Sequence, residues 1–241
     1  MLSTSKSQYL ALPFIVVGTL SLLYFGPFVA DAVSKLIAGP IVGNDFIDQK
    51  LKYQFVTLAI AIFILFVTVL FSKKNTKIFY KVGTLNAPAG HVRWLGIKNT
   101  DTWKIVGVNF AIIVSIVTGI FIYLNVARGQ TLQSENIRYL PFILLFSMMN
   151  AFTEEAITRL SLVTAMHGQA PAWIIPIASA LLFAIPHYFG VPGGIIGSLM
   201  AGFLGWLLAK SIQETNGLFW AWFIHFLQDV IIFTGLFLVA L

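Results

Sequence analysis

The chain of 241 residues contains no cysteine. This absence excludes disulfide bonds, a thiol nucleophile and every metal site built on thiolate ligands. Histidine is scarce too, with four in the whole chain. The run H-E-x-x-H, in which two histidines on one helix face bind zinc beside a glutamate base, does not occur. The most familiar zinc-protease helix is therefore excluded.

Charged residues are also scarce. Charged residues make up 10% of the chain, whereas soluble domains carry about 25%. Hydrophobic residues make up 58%, and the mean hydropathy is +0.88. We therefore expect an all-α polytopic membrane bundle of about seven to eight spans. A span needs about 20 apolar residues, and the predicted spans are 10–31, 53–72, 105–126, 139–166, 171–189, 192–211 and 218–241.

The net charge of +6 comes mostly from one segment, residues 73–104, called the basic segment below. Its acidic residue is Asp101, and its basic residues are Lys73, Lys74, Lys77, Lys81, Arg93, Lys98 and Lys104. A short basic loop between two apolar spans marks the cytoplasmic side. We therefore expect a cell-membrane protein with a cytoplasmic N-terminus and an extracytoplasmic C-terminus. The charge indicates contact with the lipid bilayer and not binding of nucleic acid.

The chain divides into two expected regions. Residues 1–138 form N-terminal spans with the basic segment, and residues 139–241 form a helical core with the polar features. The first apolar run is longer than the apolar core of a signal peptide, which is about 7–15 residues, and is interpreted as a retained span. Small residues recur every fourth position in the span 192–211, which predicts close helix packing. They are Gly193, Gly197, Ala201, Gly205 and Ala209.

Two adjacent glutamates and an arginine lie in the predicted span 139–166. A charge at a helix centre costs roughly 2.5–3.5 kcal/mol, so such groups usually pair or have a function. Glu155 and Arg159 are four residues apart and can neutralise each other on one helix face. Glu154 is rotated by about 100° and has Asn150 and Thr158 as its four-apart neighbours. We therefore expect Glu155 to be structural and Glu154 to be free to act.

Two further motifs lie in later spans: Phe183-x-x-x-His187 and His225-x-x-x-Asp229. Scattered into lipid, these charged and polar groups would cost on the order of 10 kcal/mol, so we expect them to converge on one cavity. A carboxylate with two histidines can activate water and stabilise an oxyanion. The same groups, Glu154 with the two histidines, could also bind zinc.

The ordered set Glu154-Glu155-x3-Arg159, Phe183-x3-His187 and His225-x3-Asp229 resembles the CAAX protease and bacteriocin-processing family of intramembrane endopeptidases, also called CPBP or Abi. The approach Asn216-Gly-Leu-Phe-Trp to the last histidine strengthens the resemblance, which covers about residues 140–235. It implies a helical membrane protease with a catalytic cavity open to the cytoplasm. It also implies a peptide or small membrane-associated protein as substrate.

The resemblance implies roles for the site residues. Glu154, helped by His187, would activate a water, and His225 with its partner at position 229 would hold the oxyanion. Glu155, Arg159, Asn150 and Phe183 would support the site. No cofactor is expected, although in an older view of the family the same groups bind zinc.

The chain departs from the family pattern at two places. Thr158-Arg159-Leu160 stands where the family usually has Phe-Arg-Gly, and Asp229 stands where Asn is frequent. An ionised Asp accepts hydrogen bonds but cannot donate them. One helical turn separates it from His225, so we expect an ionised Asp229 to orient that ring.

Two other functions remain open from the sequence. A non-catalytic membrane scaffold or immunity protein would tolerate the loss of Glu154. A proton-coupled transporter would use the same intramembrane carboxylates and histidines as a proton relay. Paired broken helices in two related halves would favour the transporter, and the sequence has no such symmetry.

Overall fold

The computed structural model describes residues 10–20, 28, 31, 32, 39–189 and 193–240. Most of these residues lie in seven helices, and no strand is present in the described part. The helices are α1 (Ala11–Leu20), α2 (Asp45–Phe79), α3 (Trp103–Ala127), α4 (Ser134–Met166), α5 (Ile174–His187), α6 (Gly194–Thr215) and α7 (Phe219–Ala240). Five of them, α2, α3, α4, α6 and α7, are long and apolar enough to cross a membrane, and α1 and α5 are shorter apolar helices. The predicted polytopic helical bundle is confirmed.

Helix α2 runs from Asp45 to Phe79 and so extends beyond the predicted span 53–72 at both ends. At its start the Asn44 side chain accepts a hydrogen bond from Ile47 N at 3.1 Å, which caps the helix. Near its end Ser72 has non-helical dihedral angles, φ −127° and ψ 32°. The helix bends there and continues into the basic segment. Parts of the predicted span 10–31, and positions 192 and 241, lie outside the described residues.

Helix α4 changes its winding in the middle of the predicted motif. The chain is α-helical from Leu140 to Glu155, forms a π turn over Ala156–Leu160, and returns to α-helix at Ser161. Single π turns inside α-helices are rare and frequently mark functional sites. All five residues of the turn are buried. The pattern of the sequence did not predict this turn.

The basic segment is folded down onto the ends of α6 and α7. Thr84 N donates to Thr215 O at 2.7 Å, and Trp220 Nε1 donates to Leu85 O at 2.9 Å. Gly83 has φ +93°, and a Cβ atom there would lie 2.8 Å from Gly217 Cα, so glycine is required at this contact. The segment is a surface element, as expected, and it fixes one end of the bundle.

The predicted packing role of the small-residue repeat on α6 is confirmed at Gly205. A Cβ atom at that position would approach Ser179 O of α5 to 3.0 Å, so only glycine lets the two helices come this close. Gly197 and Ala201, earlier in the same repeat, line a cavity instead. The repeat therefore joins α5 tightly to α6 at one end and leaves open space at the other.

Candidate active site

Glu155 is the centre of a fully buried network. Its Oε1 forms an ion pair with Arg159 Nη1, as the four-residue spacing predicts, and both side chains have no exposed surface. The same oxygen accepts a hydrogen bond from His225 Nδ1 at 2.7 Å. Glu155 is thus structural, as predicted, but it also holds a histidine of α7, which the sequence did not indicate.

Glu154 points away from the ion pair. Its side chain is about 12% exposed, and its Oε1 accepts a hydrogen bond from Asn150 Nδ2 at 3.2 Å. Its Oε2 lies 3.7 Å from His225 Nε2. The predicted neighbour Thr158 is not a partner of this carboxylate, because its hydroxyl donates to the main-chain oxygen of Glu154 at 2.6 Å. No arginine or lysine ion pair to Glu154 occurs among the described residues, whereas Glu155 has Arg159.

Asp229 is buried beside the same histidine. Its Oδ1 lies 3.7 Å from His225 Nε2, which is within ion-pair range but too long for a hydrogen bond. Its Oδ2 accepts a hydrogen bond from Asn150 Nδ2 at 3.1 Å. Asp229 and His225 therefore lie within ion-pair range, as expected, but no direct hydrogen bond joins them. Glu155 is the residue that orients the ring, and Asn150 links Asp229 to Glu154.

His187 has a defined tautomer. Its Nδ1 lies 2.7 Å from Phe183 O, and because a carbonyl can only accept, Nδ1 carries the hydrogen. The Nε2 of a neutral ring is then a proton acceptor. The Phe183 ring contacts the His187 ring with centroids 4.3 Å apart, and the Arg159 guanidinium carbon lies 4.0 Å from the Phe183 centroid. Phe183 therefore packs between the arginine and both histidines, since the His225 ring is also its neighbour, with centroids 6.3 Å apart.

All four predicted catalytic residues line one cavity of about 630 Å³. Glu154, His187, His225 and Asp229 share it with Asn150 and Phe183. The rest of the wall comes from α2, α3, α6 and further residues of α7, and much of it is apolar. The volume lies in the range of ligand sites, roughly 300–1,000 Å³. The structure thus brings together every residue that the sequence assigned to the chemistry.

The cavity lies in the half of the bundle away from the basic segment. Helix α2 ends and α3 begins at that segment, yet the cavity is lined by residues 49–54, early in α2, and by residues 113–118, late in α3. Residues 228–236 of α7 show the same trend, since α7 begins against the segment. The cavity lining and the basic segment therefore lie toward opposite ends of these helices.

Sequence reasoning missed six polar residues of the cavity wall, which are Gln49, Lys50, Tyr53, Gln54, Thr118 and Gln228. Tyr53 lies within electrostatic range of Glu154 and Asp229. For the residues within the apolar spans a signal was present, because a polar residue in an apolar span is costly even when it is uncharged. The predicted site was built from acidic residues, arginine and histidine with their motif neighbours, and did not include these six.

The carboxylates and imidazoles of the cavity are also candidate ligands for a metal ion. No group of three or more His, Asp and Glu side chains within residues 10–20, 39–189 and 193–240 is arranged to hold an ion. Nδ1 of His187 is directed at a main-chain carbonyl and Nδ1 of His225 at Glu155, so Nε2 is the nitrogen of each ring that is left for another partner. Glu154, His187 and His225 do not form a ready-made ligand shell in the described residues, and the metal-free mechanism stays a prediction.

A helical membrane bundle with buried carboxylates and imidazoles around a cavity has the parts of a membrane-embedded hydrolase. Residues 136–231 match the family model described as type II CAAX prenyl endopeptidase Rce1-like. This segment is less than half of the chain, and it contains every site motif from Glu154 to Asp229. No curated protein and no solved structure matches the chain.

The match is consistent with the resemblance predicted from the motifs, over residues 136–231 of the chain. At the level of the family this supports a CAAX-type intramembrane protease, with a peptide or protein substrate and a multi-pass membrane location.

Proposed function

We propose that the chain is an intramembrane endopeptidase in which Glu154 is the general base. One observation carries the proposal: Glu154, His187, His225 and Asp229 line a single cavity, while the second carboxylate, Glu155, is occupied by Arg159 and His225. Glu154 is the glutamate with room for a water and a substrate. The two adjacent glutamates therefore divide into a reactive one and a supporting one.

The proposed reaction is peptide-bond hydrolysis by an activated water. The water oxygen attacks the carbonyl carbon, and its proton passes to Glu154, with Nε2 of His187 as the second acceptor in the cavity. The tetrahedral intermediate then collapses, the C–N bond breaks, and the proton held by Glu154 passes to the leaving nitrogen. The products are a carboxylate and an amine, so one water is consumed for each bond cleaved.

His225 is the proposed donor to the oxyanion. Its Nδ1 is held by Glu155 at 2.7 Å, so its Nε2 is directed toward Glu154, Asp229 and the cavity. A protonated Nε2 donates a hydrogen bond to the oxygen that becomes negative in the transition state. Asp229 would assist by its charge and through Asn150, since its distance to the ring excludes a direct hydrogen bond.

Replacement of Glu154 by Gln tests the proposal. Gln keeps the size and can still bind Asn150, but it cannot take a proton, so we expect hydrolysis of a labelled, unstructured reporter such as casein to fall by about 10²–10⁴-fold. Folded yield and thermal stability should stay close to wild type. Glu214→Gln is the matched control, because Glu214 lies outside the cavity, at the end of α6.

Wild-type turnover by Glu154→Gln would overturn the assignment of the base. Loss of proton flux in proteoliposomes, without any proteolysis by the wild-type protein, would favour the transporter instead. Elemental analysis of the purified protein tests the metal-free mechanism, and one zinc per chain with activity lost to a chelator and restored by zinc would contradict it.

The orientation of the chain is part of the proposal. With the basic segment in the cytoplasm, the N-terminus is cytoplasmic and the cavity faces the extracytoplasmic half of the membrane. The absence of cysteine permits a clean test, because single cysteines can be labelled without background. We expect Thr131→Cys, on the cavity side, to react with an impermeant maleimide in intact cells, and Asn99→Cys, in the basic segment, to react only after permeabilisation.

The reverse pattern of labelling would place the basic segment outside. The cavity would then face the cytoplasm, as the resemblance to the family implies, and the charge bias of the basic segment would not determine the topology. Both positions are exposed in the structure, so a failure of either cysteine to react under permeabilised conditions would point to misfolding of that variant.

A further inference from the structure

Two glutamines of the cavity wall have polar atoms without a protein partner. Gln54 of α2 is completely buried, and neither its Oε1 nor its Nε2 has a hydrogen-bond partner among the described residues. The Oε1 of Gln228 on α7 is likewise buried and unpaired. Both side chains line the cavity of about 630 Å³ that holds the candidate active site.

Unpaired amide atoms at these positions are unusual. The large majority of buried side-chain polar atoms in folded proteins have a partner, because an unsatisfied buried donor or acceptor is costly. One turn from Gln54 the rule holds, because the Thr57 hydroxyl donates to Gln54 O at 3.1 Å. Other buried polar atoms without a partner occur on Ser72, Thr153, Glu155, Arg159 and Ser161. Among the described residues with such atoms, Gln54 and Gln228 are the two that line the cavity.

The chemistry of a carboxamide defines what it can bind. It donates through nitrogen and accepts through oxygen, so one side chain can pair with both the C=O and the N–H of a peptide main chain. An extended segment exposes both groups at each residue, whereas a helix has already paired them internally. We propose that Gln54 and Gln228 bind the main chain of an extended peptide segment in the cavity.

The position of the two glutamines fits this role. Gln228 lies three residues after His225, so these two residues share a helix face. Gln54 follows Tyr53, which is within electrostatic range of Glu154 and Asp229. A main chain held by these two amides passes beside the proposed base and the proposed oxyanion donor. The inference rests on the proposed peptidase function. It adds that the substrate is locally unwound when it binds, and that the two amides recognise its main chain and not its side chains.

Peptide binding can be measured without cleavage. The probe is a fluorescein-labelled octapeptide of alternating leucine and glycine in detergent micelles, compared with the same peptide methylated at every backbone nitrogen. Methylation removes the N–H donors that the two Oε1 atoms would accept. In the Glu154→Gln background we expect the unmethylated peptide to bind about tenfold more tightly, and Gln54→Met to remove most of that preference.

The control and the stability readout separate binding from packing. Gln213→Met is the matched control, because Gln213 Nε2 donates to Ala172 O away from the cavity, and it should leave the preference unchanged. Replacing an unpaired buried amide by an apolar group of similar shape should leave thermal stability unchanged or raised. Loss of the preference in a stable Gln54→Met protein therefore supports a binding role.

The outcomes for the two proposals are distinct. A preference for the unmethylated peptide that depends on Gln54, together with no cleavage by the wild-type protein, would support the subsite and overturn the peptidase. Two results would overturn the subsite and leave the peptidase, provided that the wild-type protein cleaves its reporter. Either wild type and Gln54→Met prefer the unmethylated peptide equally, or wild type does not prefer it at all. Gln228→Met is the second variant, so that the inference does not depend on one substitution.

Discussion

Two carboxylate–cation pairs at the same four-residue spacing lie in opposite halves of the bundle. Glu155 and Arg159 of α4 pair beside the cavity, and both side chains are fully buried. Lys210 and Glu214 of α6 pair beside the basic segment, where their side chains are 13% and 24% exposed. Identical spacing thus produces a local ion pair in both places, because residues i and i+4 share one helix face.

The neighbours of the two pairs give them different tasks. Glu155 also accepts a hydrogen bond from His225, so the buried pair positions a ring at the candidate active site. Glu214 accepts from Trp103 Nε1 at 2.8 Å and from Gly90 N at 3.0 Å, so the second pair fastens the basic segment to α6. The four-residue spacing therefore predicts the ion pair, whereas the neighbouring residues determine whether the pair positions an active-site side chain or a surface segment.

Breaking the buried pair should have the largest effect. Glu155→Gln leaves the guanidinium of Arg159 without its counter-charge in a buried site, and removal of one partner of such a pair costs about 3–5 kcal/mol. We expect a low folded yield, a strongly reduced thermal midpoint and no hydrolysis. Thermal unfolding in detergent and a yield measurement by size-exclusion chromatography would check this.

The double variant Glu155→Gln with Arg159→Met sharpens the result. It removes the stranded charge, so it should recover part of the folded yield while His225 still lacks its carboxylate. Recovery of full activity in the double variant would show that Glu155 has no role in positioning His225. A wild-type yield for Glu155→Gln alone would contradict the cost assigned to the buried charge.

Changes at Asp229 should have an intermediate effect, mainly on activity. Asp229→Asn keeps the volume and the possibility of a hydrogen bond with Asn150, so we expect part of the activity to remain and the shape of the pH–rate profile to change. Asp229→Ala removes the charge and the hydrogen bond together, and should be the more damaging variant by about tenfold. Superimposable pH–rate profiles for wild type and Asp229→Asn would show that Asp229 does not act on His225 by its charge.

The local features of this molecule could be predicted from its sequence. The apolar runs define the helices, the four-residue spacing defines the pair Glu155–Arg159, and the cost of intramembrane charge predicts that Glu154, His187 and His225 converge. Each of these inferences depends on a single helix or on composition. The ordered motifs also led to the family over residues 136–231.

The features that depend on packing between helices could not be predicted. The bond between Glu155 and His225 joins residues 70 positions apart, and the π turn at Ala156–Leu160 has no periodic signature. The role of Gln54 could not be predicted either, because it depends on the position of α2 in the cavity wall. The extent of α2 beyond the predicted span 53–72 was not predicted, because the apolar run ends near Ser72 while the helix, bent there, continues through basic residues.

Disruption of the partly exposed pair of Lys210 and Glu214 should have the smallest effect. Glu214→Gln removes the charge opposite Lys210, but the new amide oxygen can still accept from Trp103 Nε1 and Gly90 N. Because the pair is partly exposed, we expect a loss of about 1 kcal/mol or less and no change in hydrolysis. Thermal unfolding together with an activity assay would check both. A loss of activity without a loss of stability would show that the basic segment, held by Glu214, influences the site from the opposite half of the bundle. The distinction between a pair that serves the site and a pair that serves the basic segment would then be wrong.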